Sequence, residues 1–270
     1  MLGKALARVW TRDEVVGLGS ADADIRVPGQ VDEQVQRNRP DWIVLSAAYT
    51  DVDGCELDPS RAHAVNTQGP ANVAHAAAKA GAKLLFLSTD YVFDGSKSSP
   101  YEADDVRAPI NSYGVSKAEA EVEILKILRR ACVVRTSWLF GAGGKCFPDT
   151  ILKLASTRSQ IEVVNDQRGC PTYTDDLASA IVELCRAGAQ GIVHCTNSGN
   201  CTWYDFAREI VTQAGLSTRV LPITTENFPR PANRPRRSVL SPASLSAYGI
   251  SMRLWRAALS PYLAQRSQNG

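Results

Sequence analysis

Short, continuous apolar runs alternate along this chain with stretches of helical periodicity, and that alternation restricts it to a parallel β-sheet covered by helices. The run from Asp41 to Ala48 opens after Pro40 and suits a strand buried between two layers. Between Pro59 and Ala80, the residues Ala62, Val65, Val73, Ala76 and Ala77 recur at mixed three- and four-residue spacing, which predicts a helix that Gly81 stops. The pattern repeats with a strand over 82–88, a charged amphipathic helix over 116–130 and a strand over 132–136. After Gly141 the loops lengthen between predicted helices at 148–157 and 174–186, strands at 161–164 and 192–195, a helix opening at Thr202 and a last helix over 251–264.

Composition narrows the classes of function. Of 270 residues, 44% are hydrophobic and 21% charged, a balance that favours a packed core over disorder. Thirty basic against 28 acidic residues leave a formal charge of +2, too small and too evenly spread for a nucleic-acid surface. No apolar stretch approaches the roughly 18 residues of a bilayer span, and no signal-peptide core opens the chain. The seven cysteines include no CxxC pair and are odd in number, so we expect reduced thiols and a cytoplasmic protein.

The fold class expected is α/β, a Rossmann-like doubly wound parallel sheet. Residues 1–140 would form the NAD(P)-binding domain, and 141–270 mainly a smaller substrate-binding region with some elements returning to the sheet. Such a domain opens with a strand and a glycine-rich turn whose backbone amides hold a pyrophosphate. Here Met1 is followed at once by Leu2, Gly3, Lys4, Ala5 and Leu6, which reads as the end of that turn running into its helix. The expectation is that the first strand and the first two glycines are missing, with Gly3 as the last glycine of the fingerprint. Poor cofactor binding would follow. The segment from Val15 to Ser20, expected to follow the second strand, lacks the acidic residue that would bind a ribose 2′-hydroxyl, so NADPH is tolerable there.

Two groups of residues carry chemistry. Tyr113 and Lys117 stand four residues apart on one face of a helix. A phenol holds its proton to about pH 10, and a neighbouring ammonium lowers that value, which suits proton transfer nearer neutrality. Upstream, an apolar strand ends in Ser88, Thr89 and Asp90. The ligand crevice of an open parallel sheet lies beyond the carboxyl ends of its strands, where Thr89 could bond a carbonyl. The same three residues also suit an ordinary strand-end turn. The one dense basic cluster is Arg230, Arg234, Arg236 and Arg237, interleaved with Pro229, Pro231 and Pro235. It predicts an irregular loop that meets either an anionic ligand or solvent. His63, His75 and His194 are expected to be structural, and no ligand-like spacing assigns a metal site.

Over Ser88–Gly95, Pro109–Lys117 and Arg135–Gly141 the chain resembles the dTDP-4-dehydrorhamnose reductases, which belong to the extended short-chain dehydrogenases. Ala47–Asp53, Asn165–Thr172 and Arg234–Pro235 agree, and the likeness runs from Gly3 onward. The resemblance implies reduction of the C4 ketone of a dTDP-linked 6-deoxyhexose by NADPH or NADH, giving dTDP-L-rhamnose. By the same resemblance Tyr113 would protonate the forming alkoxide, Lys117 would hold the nicotinamide ribose and lower the tyrosine pKa, and Thr89 would orient the carbonyl. Gly3, Asp24, Ile25, Ala47, Ala48, Tyr49 and Leu87, together with Tyr113 and Lys117, would line the cofactor. Asp90, Trp138 and Arg234, with Thr89, would face the dTDP-sugar. The resemblance leaves room for Mg2+ between two subunits, with no residues assigned, and so for a homodimer. Ala120 stands where these reductases usually have glycine, a change that favours the helix by roughly 1 kcal/mol. Two alternatives stay open: a non-catalytic partner-binding subunit like the β subunit of methionine adenosyltransferase, or an epimerase or reductase acting on another deoxysugar.

Overall fold

The computed structural model describes residues 1–267. Its first half contains α1 (Leu2–Val9), α2 (Pro28–Asn38), β1 (Trp42–Leu45), α3 (Val52–Leu57), α4 (Pro59–His63), α5 (Gly69–Ala80), β2 (Lys83–Thr89), α6 (Ser112–Ile127), β3 (Cys132–Thr136) and β4 (Leu139–Phe140). The second half adds α7 (Phe147–Ala155), β5 (Gln160–Val164), β6 (Arg168–Gly169), β7 (Thr172–Tyr173), α8 (Thr174–Arg186), β8 (Gly191–His194), β9 (Cys201–Thr202), α9 (Trp203–Gln213), β10 (Arg219–Ile223), α10 (Ala243–Ser246) and α11 (Trp255–Ser267).

The apolar runs become a parallel sheet in the order β1-β2-β3-β8. Successive side chains of a strand point to opposite faces, so a run without polar alternation needs cover on both sides. β2 shows this directly. Leu85 and Leu87 pack with Leu2, Leu6, Leu177 and Ile181 of α1 and α8, whereas Leu84 and Phe86 pack with Val31, Val73 and Ile124 of α2, α5 and α6. Burying each such side chain is worth about 1.5–3 kcal/mol, which makes these two layers the main cohesive force of the region. β8 and α8, from the later half, complete the sheet and one of its covers. A second core gathers Phe140, Ile151, Ile161, Phe206, Ile210 and Trp255 around the parallel pair β5–β10.

Two local expectations are corrected. The helix predicted from Pro59 to Ala80 is interrupted by a π-helical turn over Ala64–Gln68, in which the Gly69 N–H bonds back to the Ala64 carbonyl. Pro70 is the cause, because it has no N–H to give the Asn66 carbonyl and its ring crowds that oxygen, so the chain widens one turn earlier. Gly81 does end α5, at φ 71°, a conformation costly for residues with a Cβ. No strand precedes the Val15–Ser20 segment among the described residues, and Val15, Val16 and Leu18 remain exposed. A strand needs a neighbour to satisfy its backbone, and among the described residues β1 is paired only with β2. Among the described residues no helix is long and apolar enough to cross a membrane.

Candidate active site

α6 is aimed by its N-cap. The Asn111 side chain accepts from Gly114 N at 2.8 Å and donates from Nδ2 to the Asn233 carbonyl at 2.7 Å, so the helix starts just before Tyr113. Gly114 has no Cβ for a packing reason: an added one would stand 2.1 Å from the Tyr91 carbonyl oxygen. That close approach sets the Tyr113 ring edge-on to Tyr91, with centroids 6.0 Å apart. β2 ends at Thr89, and a 3-10 turn over Asp90–Val92 follows. Thr89 Oγ1 accepts from Tyr91 N at 3.2 Å and donates to Asp90 Oδ1 at 3.1 Å. The structure therefore brings Thr89, Asp90, Tyr113 and Lys117 together at the carboxyl end of β2.

The electrostatics differ from expectation at one point. Burial pushes the Tyr113 phenol above its ordinary value; the Thr89 hydroxyl beside it opposes that rise, and the Asp90 charge adds to it. Lys117 does not lower it, because its Nζ is engaged by the Leu87 carbonyl at 2.7 Å and lies 3.9 Å from the Phe86 ring centroid. Burial pulls Lys117 itself down to about 7, against the pull of the Glu121 carboxylate. Asp90 is pushed up to about 7 by burial, opposed by the Ser238 and Thr89 hydroxyls.

Behind this group lies a network that sequence reading did not find. Glu121, two turns after Tyr113, accepts from Arg135, Arg107 and Ser88. Asn66, on the π-helical turn, accepts from Tyr49 N at 2.8 Å and donates to the Tyr49 carbonyl at 2.9 Å and to Ser116 Oγ at 3.2 Å. It fixes the loop after β1 against α6. The available signal was a polar residue on the buried face of a predicted helix. His194 is buried and pushed down to about 3, by burial first and then by Arg135, so it stays neutral. Among the described residues no group of three or more His, Cys, Asp or Glu could hold a metal ion.

Beside α1, β1 ends at Leu45, and Ser46 and Ala47 just beyond it are small and exposed, with Ala48 and Tyr49 continuing the same edge. α1 has no side-chain cap at its first turn, and a Cβ on Gly3 would stand 3.7 Å from Ser46 Oγ. Free backbone amides beside small, open strand ends fit a dinucleotide phosphate group. Asp24 is paired with Arg26 and held at about 2 by it. The Ile25 carbonyl accepts from Asn72 at 3.0 Å, and its side chain covers Gly69. Leu87 reaches the site only through its carbonyl, because its side chain lies in the core under α1.

On the opposite side, Trp138 takes φ 47°, unusual for a residue with a Cβ, and stacks on Trp203 with ring centroids 3.5 Å apart. The arginine-proline loop is tied to the same centre by Asn233 to Asn111 and by Ser238 to Asp90. Arg234 donates to Asp53 Oδ1 and to the Ala232 carbonyl, each at 2.5 Å, and Arg230 reaches Asp53 at 2.6 Å. Burial would push Asp53 up, but Arg234, the Ala232 N–H and Arg230 together bring it to about 2. Asp53 thus organises the basic loop, a role the sequence did not reveal.

Comparison with known proteins places this arrangement. The family model described as "RmlD substrate binding domain" matches residues 1–268. Spore coat polysaccharide biosynthesis protein SpsK of Bacillus subtilis (strain 168) is 41% identical over 254 residues, covering 94% of this chain and 89% of that protein. The dTDP-4-dehydrorhamnose reductase of Mycobacterium tuberculosis (strain ATCC 25618 / H37Rv) is 39% identical over 273 aligned positions, covering 97% and 89%. A dTDP-4-dehydrorhamnose reductase from Bacillus anthracis in complex with NADP superimposes with a TM-score of 0.95 at 37% identity, covering 98% of this chain and 95% of that one. One from Clostridium acetobutylicum gives a TM-score of 0.96 at 36% identity, covering 98% and 96%. The chain belongs to the dTDP-4-dehydrorhamnose reductase (RmlD) family of extended short-chain dehydrogenases.

Proposed function

We propose that this chain reduces the C4 ketone of dTDP-4-dehydro-L-rhamnose to the alcohol of dTDP-L-rhamnose, using NADPH in preference to NADH. The observation that carries the reading is the convergence of Tyr113, Thr89 and Lys117 at the carboxyl end of β2, in a chain of this family. NADPH is favoured because the Bacillus anthracis relative was solved with NADP. A non-catalytic subunit would have no need of this proton-transfer group.

The nicotinamide, when bound, supplies the hydride that C4 receives. The Tyr113 hydroxyl gives its proton to the developing alkoxide oxygen, a contribution of about 10²–10⁴ in rate. Thr89 orients the carbonyl, and Lys117, fixed by Leu87, presents its ammonium to the cofactor ribose. Gly3, Asp24, Ile25, Ala47, Ala48 and Tyr49 would hold the rest of the dinucleotide. Trp138, backed by Trp203, would wall the sugar, and Arg234 and Arg230 would meet the diphosphate. Residues 1–140 would thereby serve mainly the cofactor and 141–270 mainly the substrate.

A second reading has specific support. SpsK is named for spore coat polysaccharide, and a Streptomyces antibioticus relative, 39% identical, is described as a probable dTDP-4,6-dihydroxy-2-methyloxan-3-one 4-ketoreductase. A neighbouring dTDP-deoxysugar is the alternative substrate. The test is NADPH oxidation by the purified protein over a panel of dTDP-4-keto sugars, with products identified by NMR. Higher kcat/KM on another sugar would replace the rhamnose assignment, and no oxidation with any of them would remove the reductase reading.

A further inference from the structure

We propose that Asp90 is a second proton-carrying group of this site, passing through Thr89 the proton that restores Tyr113 after each reduction. The inference rests on the reductase reading above.

Asp90 is 2% exposed, and among the described residues no lysine or arginine is ion-paired with it. Its two oxygens are held by hydroxyls: Thr89 on Oδ1 at 3.1 Å and Ser238, itself 2% exposed, on Oδ2. The titratable groups facing it are Tyr91 on its own turn, Tyr113 from α6 and Cys170 from the segment after β6. None of these three carries positive charge; of the arginines facing them, Arg234 acts on Tyr91 and is itself paired with Asp53, and Arg237 acts on Cys170. A carboxyl buried without a paired cation tends to keep its proton, and burial lifts this one to about 7.

That proton decides what Thr89 can do. The Thr89 oxygen already accepts from Tyr91 N, so the hydroxyl has one hydrogen to direct. Against a carboxylate, the hydrogen goes to Asp90. Against a carboxylic acid, Asp90 donates to Thr89, and the Thr89 hydrogen is free for Tyr113. After Tyr113 has given its proton to the C4 oxygen, Thr89 gives its hydrogen to the phenolate oxygen as Asp90 gives its own to Thr89 Oγ1. One O–H bond forms and one breaks at each step. The carboxylate left on Asp90 accepts from Ser238 and takes a proton from solvent before the next turnover. The direction is downhill, since Asp90 is a much stronger acid here than Tyr113. Lys117 is a poor alternative source because its Nζ is engaged by the Leu87 carbonyl.

Asp90→Asn keeps the shape and can still donate to Thr89, but carries no proton to give. With enzyme in excess over substrate, whatever a single round of NADPH oxidation loses, steady-state turnover should fall about tenfold further, so that the ratio of the two rates drops about tenfold or more. Parallel losses in both would make Asp90 a positioning residue, and unchanged steady-state turnover would also overturn the proposal. A readout without substrate separates this from the function itself. The infrared difference between parent and Asp90→Asn should show a carboxylic-acid carbonyl band that titrates with a midpoint near 7. Ser238→Ala, which removes a donor to the carboxylate, should raise that midpoint. Absence of the band overturns the relay even if the parent proves inactive on every sugar.

Discussion

Glu121 and Arg135 form a two-point ion pair inside the protein, with Arg135 Nε 2.9 Å from Oε1 and Nη2 2.7 Å from Oε2. Both side chains are out of solvent, and Ser88 and Arg107 complete the carboxylate's partners. The pair ties α6 to β2 and β3 one turn beyond Lys117, where Ser88 and Arg135 already stand in register. Removing one member leaves the other charged, buried and unmatched. Glu121→Ala should therefore cost about 3–5 kcal/mol in denaturant unfolding. A loss below about 1 kcal/mol would show that water takes the place of the carboxylate.

Tyr113→Phe removes one hydroxyl and leaves the ring against Tyr91. kcat should fall about 10²-fold or more with NADPH affinity little changed. Because burial holds the phenol above its ordinary value, the parent should keep this proton through neutral pH, and no loss of activity assignable to Tyr113 should appear below about pH 10. Equal kcat in the two proteins would end the assignment.

Arg234→Ala should raise substrate KM about tenfold, the scale of a lost charge-assisted contact to a phosphate. Asp53→Asn tests the organisation of the loop. It leaves the arginines but unties Arg230 and Arg234, and it should raise KM with kcat preserved. The pH sign follows from the pKa: the folded value near 2 lies below the ordinary 3.8, so the tie is at full strength above about pH 4 and is lost as pH falls toward 2. Salt dependence of KM that matches between Arg234→Ala and the parent would assign the loop to solvent.

The reach of sequence reasoning follows from what is local. β2 and β3 were legible because a strand covered on both faces must be apolar throughout, and Tyr113, Lys117 and Thr89 because their spacing and strand-end position are local properties. Asp53 was missed because its partners Arg230 and Arg234 lie in a loop 177 and 181 residues away, and nothing at Asp53 predicts that return. Asn66 was hidden for the opposite reason. Its segment has a good helical pattern, and only the backbone demand of Pro70 converts one turn into the π turn that presents it. The contact of the Lys117 Nζ with the Leu87 carbonyl was also not legible, since spacing on a helix does not report where a long side chain ends.

Gly169→Ala tests the wall opposite the catalytic group. Trp138 rests on Gly169 so closely that an added Cβ would stand 2.5–2.8 Å from three indole atoms. The indole cannot retreat, because Trp203 stacks on it at 3.5 Å and Phe147 packs on Trp203 at 4.5 Å. Its backbone, at φ 47°, has little freedom to relax. Overpacking of this kind costs about 1–3 kcal/mol, and here it would be relieved by turning Trp138 out of the stack. Gly169→Ala should therefore raise substrate KM several-fold while leaving kcat within about threefold, since Tyr113 and Thr89 belong to other elements. Near-ultraviolet circular dichroism of the stacked indoles should weaken in parallel. Trp203→Leu in the same chain opens space behind Trp138 and should recover part of the stability without restoring the dichroism. If Gly169→Ala loses the indole signal but keeps the parental KM, Trp138 does not touch the sugar, and the substrate wall must be sought among other residues.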